Sequence, residues 1–431
     1  MTFFDKYVLM PFIESCYKFK ERNAFCINEQ FFSYHDLFIR LGSIYEVIKK
    51  ANIKTGNIGL VANDDIETYA SIFAIWLNGY AYVPLHPQQP ASRNLEIISQ
   101  ADIDIIIDSN NKLETTNCTI IDSSKLKFEA TSLEYKSVTE NSLAYILFTS
   151  GSTGKPKGVQ ITQGNIGVFM KSFWETGIKI DPEDKCLQCF DLTFDVSAQS
   201  FLTALTKGAC VYTIPHNQIK YSYVFGLLND HRLTVGAMAP SMIRYLRPYF
   251  DEINIPEFKY CILTAEAIPI DLVSEWSKCI PNADIYDFYG PTEATIYCTY
   301  SKFNRQGTNK SLNGMMSIGK PMKGNIAIIV DDEKKILASY QKGELCISGD
   351  QVTRGYWKNE QRTSDSIFEI SYLNRIMTFY KTGDICYFDD EGDIMLSGRM
   401  DYQVKIQGYR VAIFFFNSTM SASTVFFSAV Y

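Results

Sequence analysis

The chain has 431 residues, 46% of them hydrophobic and 21% charged, with 41 basic against 48 acidic side chains and a formal net charge of −7. That length exceeds what one hydrophobic core supports, so more than one domain is expected, and the composition excludes disordered and low-complexity classes. Charges of both signs are interspersed rather than blocked, which removes the electrostatic footprint of a nucleic-acid or anionic-membrane binder and leaves small molecules or a protein partner.

The opening stretch MTFFDKYVLMPFIESCYKF sets Asp5, Lys6 and Glu14 among apolar residues, which predicts an amphipathic helix rather than a secretory leader. Ahead of the last twenty residues, no segment offers the roughly 20 apolar residues of a membrane span, and a cytoplasmic location is expected. Eleven cysteines without a close-set framework read as reduced thiols. Cys186 and Cys189 form the one close pair, and without a second pair nearby they are expected as small apolar residues of a half-buried strand.

Short β-branched runs follow: NIGLVAN at 57–63, AYVPL at 81–85, DIDIIID at 102–108 and SLAYILF at 142–148, several separated by helical-period stretches such as DIETYASIFAIWLNG. Strand, helix, strand is the signature of α/β units with parallel sheets. From about residue 320 the texture turns strand-rich, with NIAIIVDD, GELCISG and DICYFDDEGDIMLSG, where DDEG predicts a hairpin turn. The expected division is an α/β core over 1–320, a β-rich subdomain over 321–400 and a remnant over 401–431.

The strongest local signal is SLAYILFTSGSTGKPKGVQIT, 142–162, in which a buried strand releases into a loop carrying Thr149, Ser150, Gly151, Ser152, Thr153, Gly154, Lys155 and Lys157. Glycines let backbone N–H groups approach an anion, hydroxyls add donors and lysines add charge, so a polyphosphate cradle is the natural reading. It is not a Walker A loop, because the first position is Thr149 and Pro156 follows the lysine. Histidines 35, 86, 216 and 231 are scattered and form no convincing nucleophilic triad, so core or surface roles are expected of them.

Around this loop the chain carries, in order, YAYVPLHP (80–87), FDVS (194–197), TAEAI (264–268), YGPTEATIY (289–297), YKTGD (380–384) and GRMDYQVKIQGYR (398–410). Together these resemble the adenylate-forming, or AMP-binding, superfamily over nearly the whole chain as far as Arg410, in particular its amino-acid adenylation domains and D-alanine carrier-protein ligases. The resemblance implies an α/β adenylate-forming fold and a reaction in which a carboxylate attacks the α-phosphorus of ATP, releases pyrophosphate, and passes its acyl group to the thiol of a phosphopantetheinyl carrier protein. It implies that Thr149, Ser150, Ser152, Thr153 and Lys157, with Gly151 and Gly154, hold the β- and γ-phosphates. Glu293 binds Mg²⁺ and Thr292 the α-phosphate on this reading. Tyr289, with Gly290 and Pro291 of the same turn, and the backbone of Ala265, Glu266 and Ala267 flank the adenine. Asp384 takes the ribose hydroxyls, with Arg399 beside it.

Asp195 lies between Phe194 and Val196 in an apolar context, where a carboxylate is costly to bury unless a cation meets it. In the amino-acid-activating branch an aspartate here pairs with the substrate ammonium, so a small amino acid is the expected substrate. The matching pocket walls are Val196, Gln199, Ala237, Leu263, Ala265, Phe288, Ile296 and Tyr297, of which Phe288 and Tyr297 are bulky. The alternatives are an acyl- or aryl-acid CoA ligase of the same fold, which Asp195 argues against, and a non-catalytic nucleotide-binding remnant. The resemblance further implies a mobile C-terminal domain entered through a hinge at Asp401. After Val411 the chain reads AIFFFNSTMSASTVFFSAVY, without a charge, and leaves the family pattern. A truncated C-terminal domain lacking its late lysine, and impaired adenylation, are therefore expected.

Overall fold

The computed structural model describes residues 1–111, 113, 117–128, 133, 138–149 and 156–400, and the backbone of 150, 403–406, 409–414 and 426–427. Asp401 and the loop tip 151–155 fall outside that set.

Two large sheets form the body. The nine-stranded sheet runs, edge to edge, through Lys320–Pro321, Thr299–Lys302, Asp284–Tyr289, Tyr260–Thr264, Val235–Met238, Lys185–Gln188, Cys210–Thr213, Asn23–Ile27 and Gln30–Ser33. Its central pairs are parallel and its outer pairs antiparallel. Parallel strands need crossover connections that place helices on the sheet faces, so these strands are buried on both sides and read as unbroken apolar runs. The six-stranded sheet follows the same logic: Asn57–Val61 and Ala81–Leu85 pair in parallel and are buried at every position.

Alternate residues of the nine-stranded sheet feed two separate cores. Ala237, Ile262 and Phe288 join one cluster, and Met238, Leu263 and Ile285 the other, as a side-chain period of two requires. Between the sheets lies the helix Ile66–Leu77, buried on every side and touching one sheet through Tyr69 on Phe25 and the other through Trp76 on Tyr82. A helix apolar all round has to be interior. Asp65 caps it by accepting from the Thr68 N–H at 2.8 Å. The indole of Trp76 donates to the Ala144 carbonyl at 2.8 Å, and truncating so buried a residue to alanine would cost about 3–5 kcal/mol.

The strand-rich stretch forms its own antiparallel sheet from Asn325–Val330, Gly343–Gly349, Arg375–Phe388, Ile367–Tyr372 and Ile394–Arg399. DDEG turns the chain between the last two paired runs, with Phe388 opposite Ile394. The N-terminal segment departs from a plain amphipathic helix: Asp5–Leu9 winds as a wider π-turn before the α-helix Met10–Lys18. Cys186 sits in a strand, whereas Cys189 lies one residue past its end; burial pushes both thiols up, Cys189 to about 12. Among the described residues, no helix is long and apolar enough to cross a membrane.

Candidate active site

The strand Leu143–Ser150 and its antiparallel neighbour Pro156–Thr162 set Thr149 opposite Lys157 at the base of the glycine-rich loop. The Oγ1 of Thr149 is buried and has no hydrogen-bond partner among the described residues. From the opposite strand, the Lys157 ammonium donates to Oε1 of Glu293 at 3.0 Å. Glu293 lies in the short 3₁₀ turn Thr292–Ala294 and is fully buried, while Lys157 is 12% exposed. The same carboxylate oxygen accepts a 2.7 Å hydrogen bond from the Tyr356 hydroxyl, and Lys157 lies 5.0 Å from the Tyr356 ring centroid. Burial, then the Glu293 charge, pushes the Tyr356 phenol up, so it stays a donor.

The turn carrying Glu293 has an unusual backbone. Thr295 and Ile296 both adopt positive φ, +55° and +69°, a conformation that side chains other than glycine take at a cost. It folds the chain back so tightly that a Cβ on Gly290 would come within 2.3 Å of the Ile296 carbonyl oxygen. A second strand-rich segment holds this turn. Gln351 donates to the Tyr297 carbonyl at 2.7 Å and is itself fixed by Asn325 at 2.8 Å, and the Thr353 N–H donates to the Glu293 carbonyl at 2.7 Å. Asn325, Gln351, Thr353 and Tyr356 are absent from the sequence-based site; each contact spans tens of residues, and no local pattern announces it.

Further along, Tyr289 ends its strand and donates its hydroxyl to Asp384. Asp384 and Arg399 face each other across an antiparallel pair, and the guanidinium donates to Oδ1 of Asp384 at 2.6 Å. Burial and then the Asp384 charge push the Tyr289 phenol well up. Tyr289, Asp384 and Arg399 thus form one cluster, and Lys157 and Glu293 another. Gly290, Pro291 and Thr292 link the two along the chain. Ala265 follows the strand Tyr260–Thr264 at φ +72°, and the Glu266 carboxylate accepts from the Ser241 N–H and hydroxyl at 3.0 and 2.9 Å. Ala267 is exposed.

Asp195 opens the wholly buried helix Asp195–Leu205 and is 7% exposed. Three phenols feel its charge: burial first, then Asp195, pushes up Tyr82, Tyr145 and Tyr297. Tyr297 donates to Oε1 of Gln199 at 3.3 Å and packs on Phe288, ring centroids 4.9 Å apart. Gln199, Ala237, Phe288, Ile296 and Tyr297 are all buried. Leu263 is not with them: it points to the other face of the sheet, into the second core, because its neighbours Ile262 and Thr264 take the face it was expected to share. A cavity of about 380 Å³ opens beside this group, lined by Val196, Ala265, Phe190, Phe194, Asp191 and Tyr245 among others. Burial raises the Asp191 carboxyl, but hydrogen bonds and charge from His86, 2.7 Å away, and from Thr193 hold it well below the usual carboxylate range.

The AMP-binding enzyme family matches residues 12–357. Gramicidin S synthase 1 of Brevibacillus brevis is 29% identical over 398 residues, covering 90% of this chain and 35% of that protein. Tyrocidine synthase 2 of Brevibacillus parabrevis is 27% identical over 423 residues, 95% of this chain and 11% of that protein. The chain therefore spans only about a third or less of these relatives. Among solved structures, the Vibrio cholerae adenylation domain AlmE in complex with glycyl-adenosine-5'-phosphate superposes with a TM-score of 0.82 at 22% identity, over 93% of this chain and 80% of that one. Holo-PA1221, an NRPS protein containing adenylation and PCP domains, gives 0.82 at 22% over 94% and 70%. The fold is that of adenylation domains.

Proposed function

The chain belongs to the AMP-binding enzyme family, and from that premise we propose that it activates a small amino acid as its adenylate, using ATP and Mg²⁺, for loading onto a phosphopantetheinyl carrier protein. The observation that carries the amino-acid reading is Asp195: a carboxylate buried at the head of a helix, with Val196, the next residue, lining an open cavity. A buried carboxylate is best satisfied by a matching cation, and a substrate ammonium supplies one. Phe288 and Tyr297 pack on one another, and two bulky rings among the proposed pocket walls favour a small side chain.

In this reading Thr149, Ser150, Ser152, Thr153 and Lys157 grip the β- and γ-phosphates, with Gly151 and Gly154 giving backbone access. Mg²⁺ supplies charge neutralisation between phosphate oxygens, and Glu293 is the hard oxygen donor that suits it. Thr292 donates to the α-phosphate, Asp384 accepts from the ribose, and Tyr289 with the Ala265–Ala267 backbone borders the adenine. Positioning and charge neutralisation do most of the catalysis when a carboxylate meets a polyphosphate. The proposed division into a core over 1–320, a β-rich subdomain over 321–400 and a hinge at Asp401 accompanies it.

The test is a pyrophosphate-exchange screen. All L- and D-amino acids are compared with fatty and aryl acids of matching size. Exchange driven by small amino acids is the expected result; exchange driven only by acids without an amine would replace this reading with that of an acyl- or aryl-acid ligase.

A further inference from the structure

At the edge of the nine-stranded sheet, built from residues that the reading above does not use, a cysteine, a glutamate and a histidine converge. Cys26 lies in the strand Asn23–Ile27, which turns directly into Gln30–Ser33, with Ile27 paired to Gln30. The two-residue connection is Asn28 and Glu29, with φ of +50° and +62°, a tight hairpin whose second position favours glycine. A glutamate there sits in a backbone conformation that residues other than glycine take at a cost, and its carboxylate reaches Tyr223 and His231. His231 terminates the helix Lys220–Asp230. One ligand atom from each of Cys26, Glu29 and His231 lies within 4.8 Å of the others.

We propose that Cys26 Sγ, Glu29 and His231 Nε2 form a binding site for a thiophilic divalent cation of the Zn²⁺ type, with water in the fourth position. Sulfur, imidazole nitrogen and carboxylate oxygen are the donor set that Zn²⁺ takes in tetrahedral geometry, and one that Mg²⁺ does not favour. Supporting groups are already in place. Tyr223 donates to Oε1 of Glu29 at 3.0 Å, leaving Oε2, which sits 2.8 Å from His231 Nε2. The imidazole is held between Tyr212 and Phe31, with ring centroids at 5.1 and 6.3 Å. Such outer contacts orient metal ligands. The Glu29 N–H points at the Cys26 sulfur, a bond that favours the thiolate, although burial and the Glu29 carboxylate dominate and raise the thiol to about 11. Binding therefore expels the thiol proton to solvent, while Nε2 and one carboxylate oxygen each lend a lone pair. The ion would staple the hairpin to the helix Lys220–Asp230, with its water side open, since the Glu29 side chain is 59% exposed.

The test titrates the full chain, stripped by a chelator, with Co²⁺ and then Zn²⁺ in the absence of nucleotide. A near-ultraviolet thiolate-to-cobalt band at one equivalent, bleached by Zn²⁺, is expected. Apparent affinity should rise about tenfold per pH unit, because a thiol proton must leave. C26S should abolish the band, while C118S, at a partly exposed cysteine outside the cluster, should keep it. H231A and E29Q should each weaken binding at least about tenfold. The same band in C26S, or Zn²⁺ affinity unchanged in both H231A and E29Q, would overturn the site, as would the absence of any band in the wild-type chain. H231A and E29Q keep the test decisive if C26S folds poorly.

Discussion

Lys157 and Lys310 each hold carboxylates, in opposite surroundings. Lys157 holds Glu293, which is fully buried. Lys310 holds three, Asp389, Asp393 and Glu391, at 2.6, 2.8 and 3.0 Å around the partly exposed DDEG turn. A tally of ion pairs would rank the second lysine as the more important. Solvent reverses that order, because a buried charge that loses its partner has no water to turn to, whereas exposed pairs are screened and contribute little.

Removing Lys157 should break the comparison most visibly. Lys157→Ala is expected to destabilise the chain by about 3–5 kcal/mol in urea unfolding. Adding Glu293→Gln should restore a large part of that, since the uncompensated charge is then gone. If the single and double variants unfold alike, burial is not what gives Glu293 its importance. Tyr356→Phe comes next. It removes one hydrogen bond to a buried carboxylate and should cost about 1–3 kcal/mol, while weakening the Mg²⁺ dependence of pyrophosphate exchange through a less well-held Glu293. An unchanged Mg²⁺ response would make Tyr356 a packing residue only.

These residues also mark where the sequence was readable. YGPTE and FDVS are local patterns, visible within a few positions, and the α/β alternation up to residue 320 follows from strand and helix periods. The clasp on Glu293 was not readable, because Gln351, Thr353 and Tyr356 reach it from 54 to 63 residues away and nothing in their own neighbourhood marks them as donors. The facing of Leu263 was not readable for a different reason: a motif match carries no information on which side of the strand a residue takes, and Leu263 packs into the second core. The His86–Asp191 pair was hidden by a still longer separation along the chain.

That pair predicts a smaller effect. The Asp191 carboxyl is lower in the folded chain than in the unfolded one, so it contributes stability above the ordinary carboxylate value of about 4 and loses it as pH falls below that, toward the depressed value. His86→Ala should flatten this acid-side loss in unfolding experiments from about pH 5 to pH 3; an unaltered slope would place the acid sensitivity elsewhere. The smallest effect belongs to Lys310→Ala. Its stability should match the parent at high salt and fall slightly at low salt, where three acidic side chains repel with little screening. A large loss that persists in high salt would mean the exposed clamp behaves like the buried one.

Asp195 decides the account more directly than any of these. In Asp195→Asn, which keeps the shape and removes the charge, ATP binding by calorimetry and amino-acid-dependent pyrophosphate exchange are measured on the same sample. The account predicts ATP affinity near that of the parent and exchange lower by about tenfold to a hundredfold, the worth of a charged hydrogen bond. Exchange at the parent rate would contradict it, leaving a nucleotide-binding chain whose substrate is not recognised through its amine.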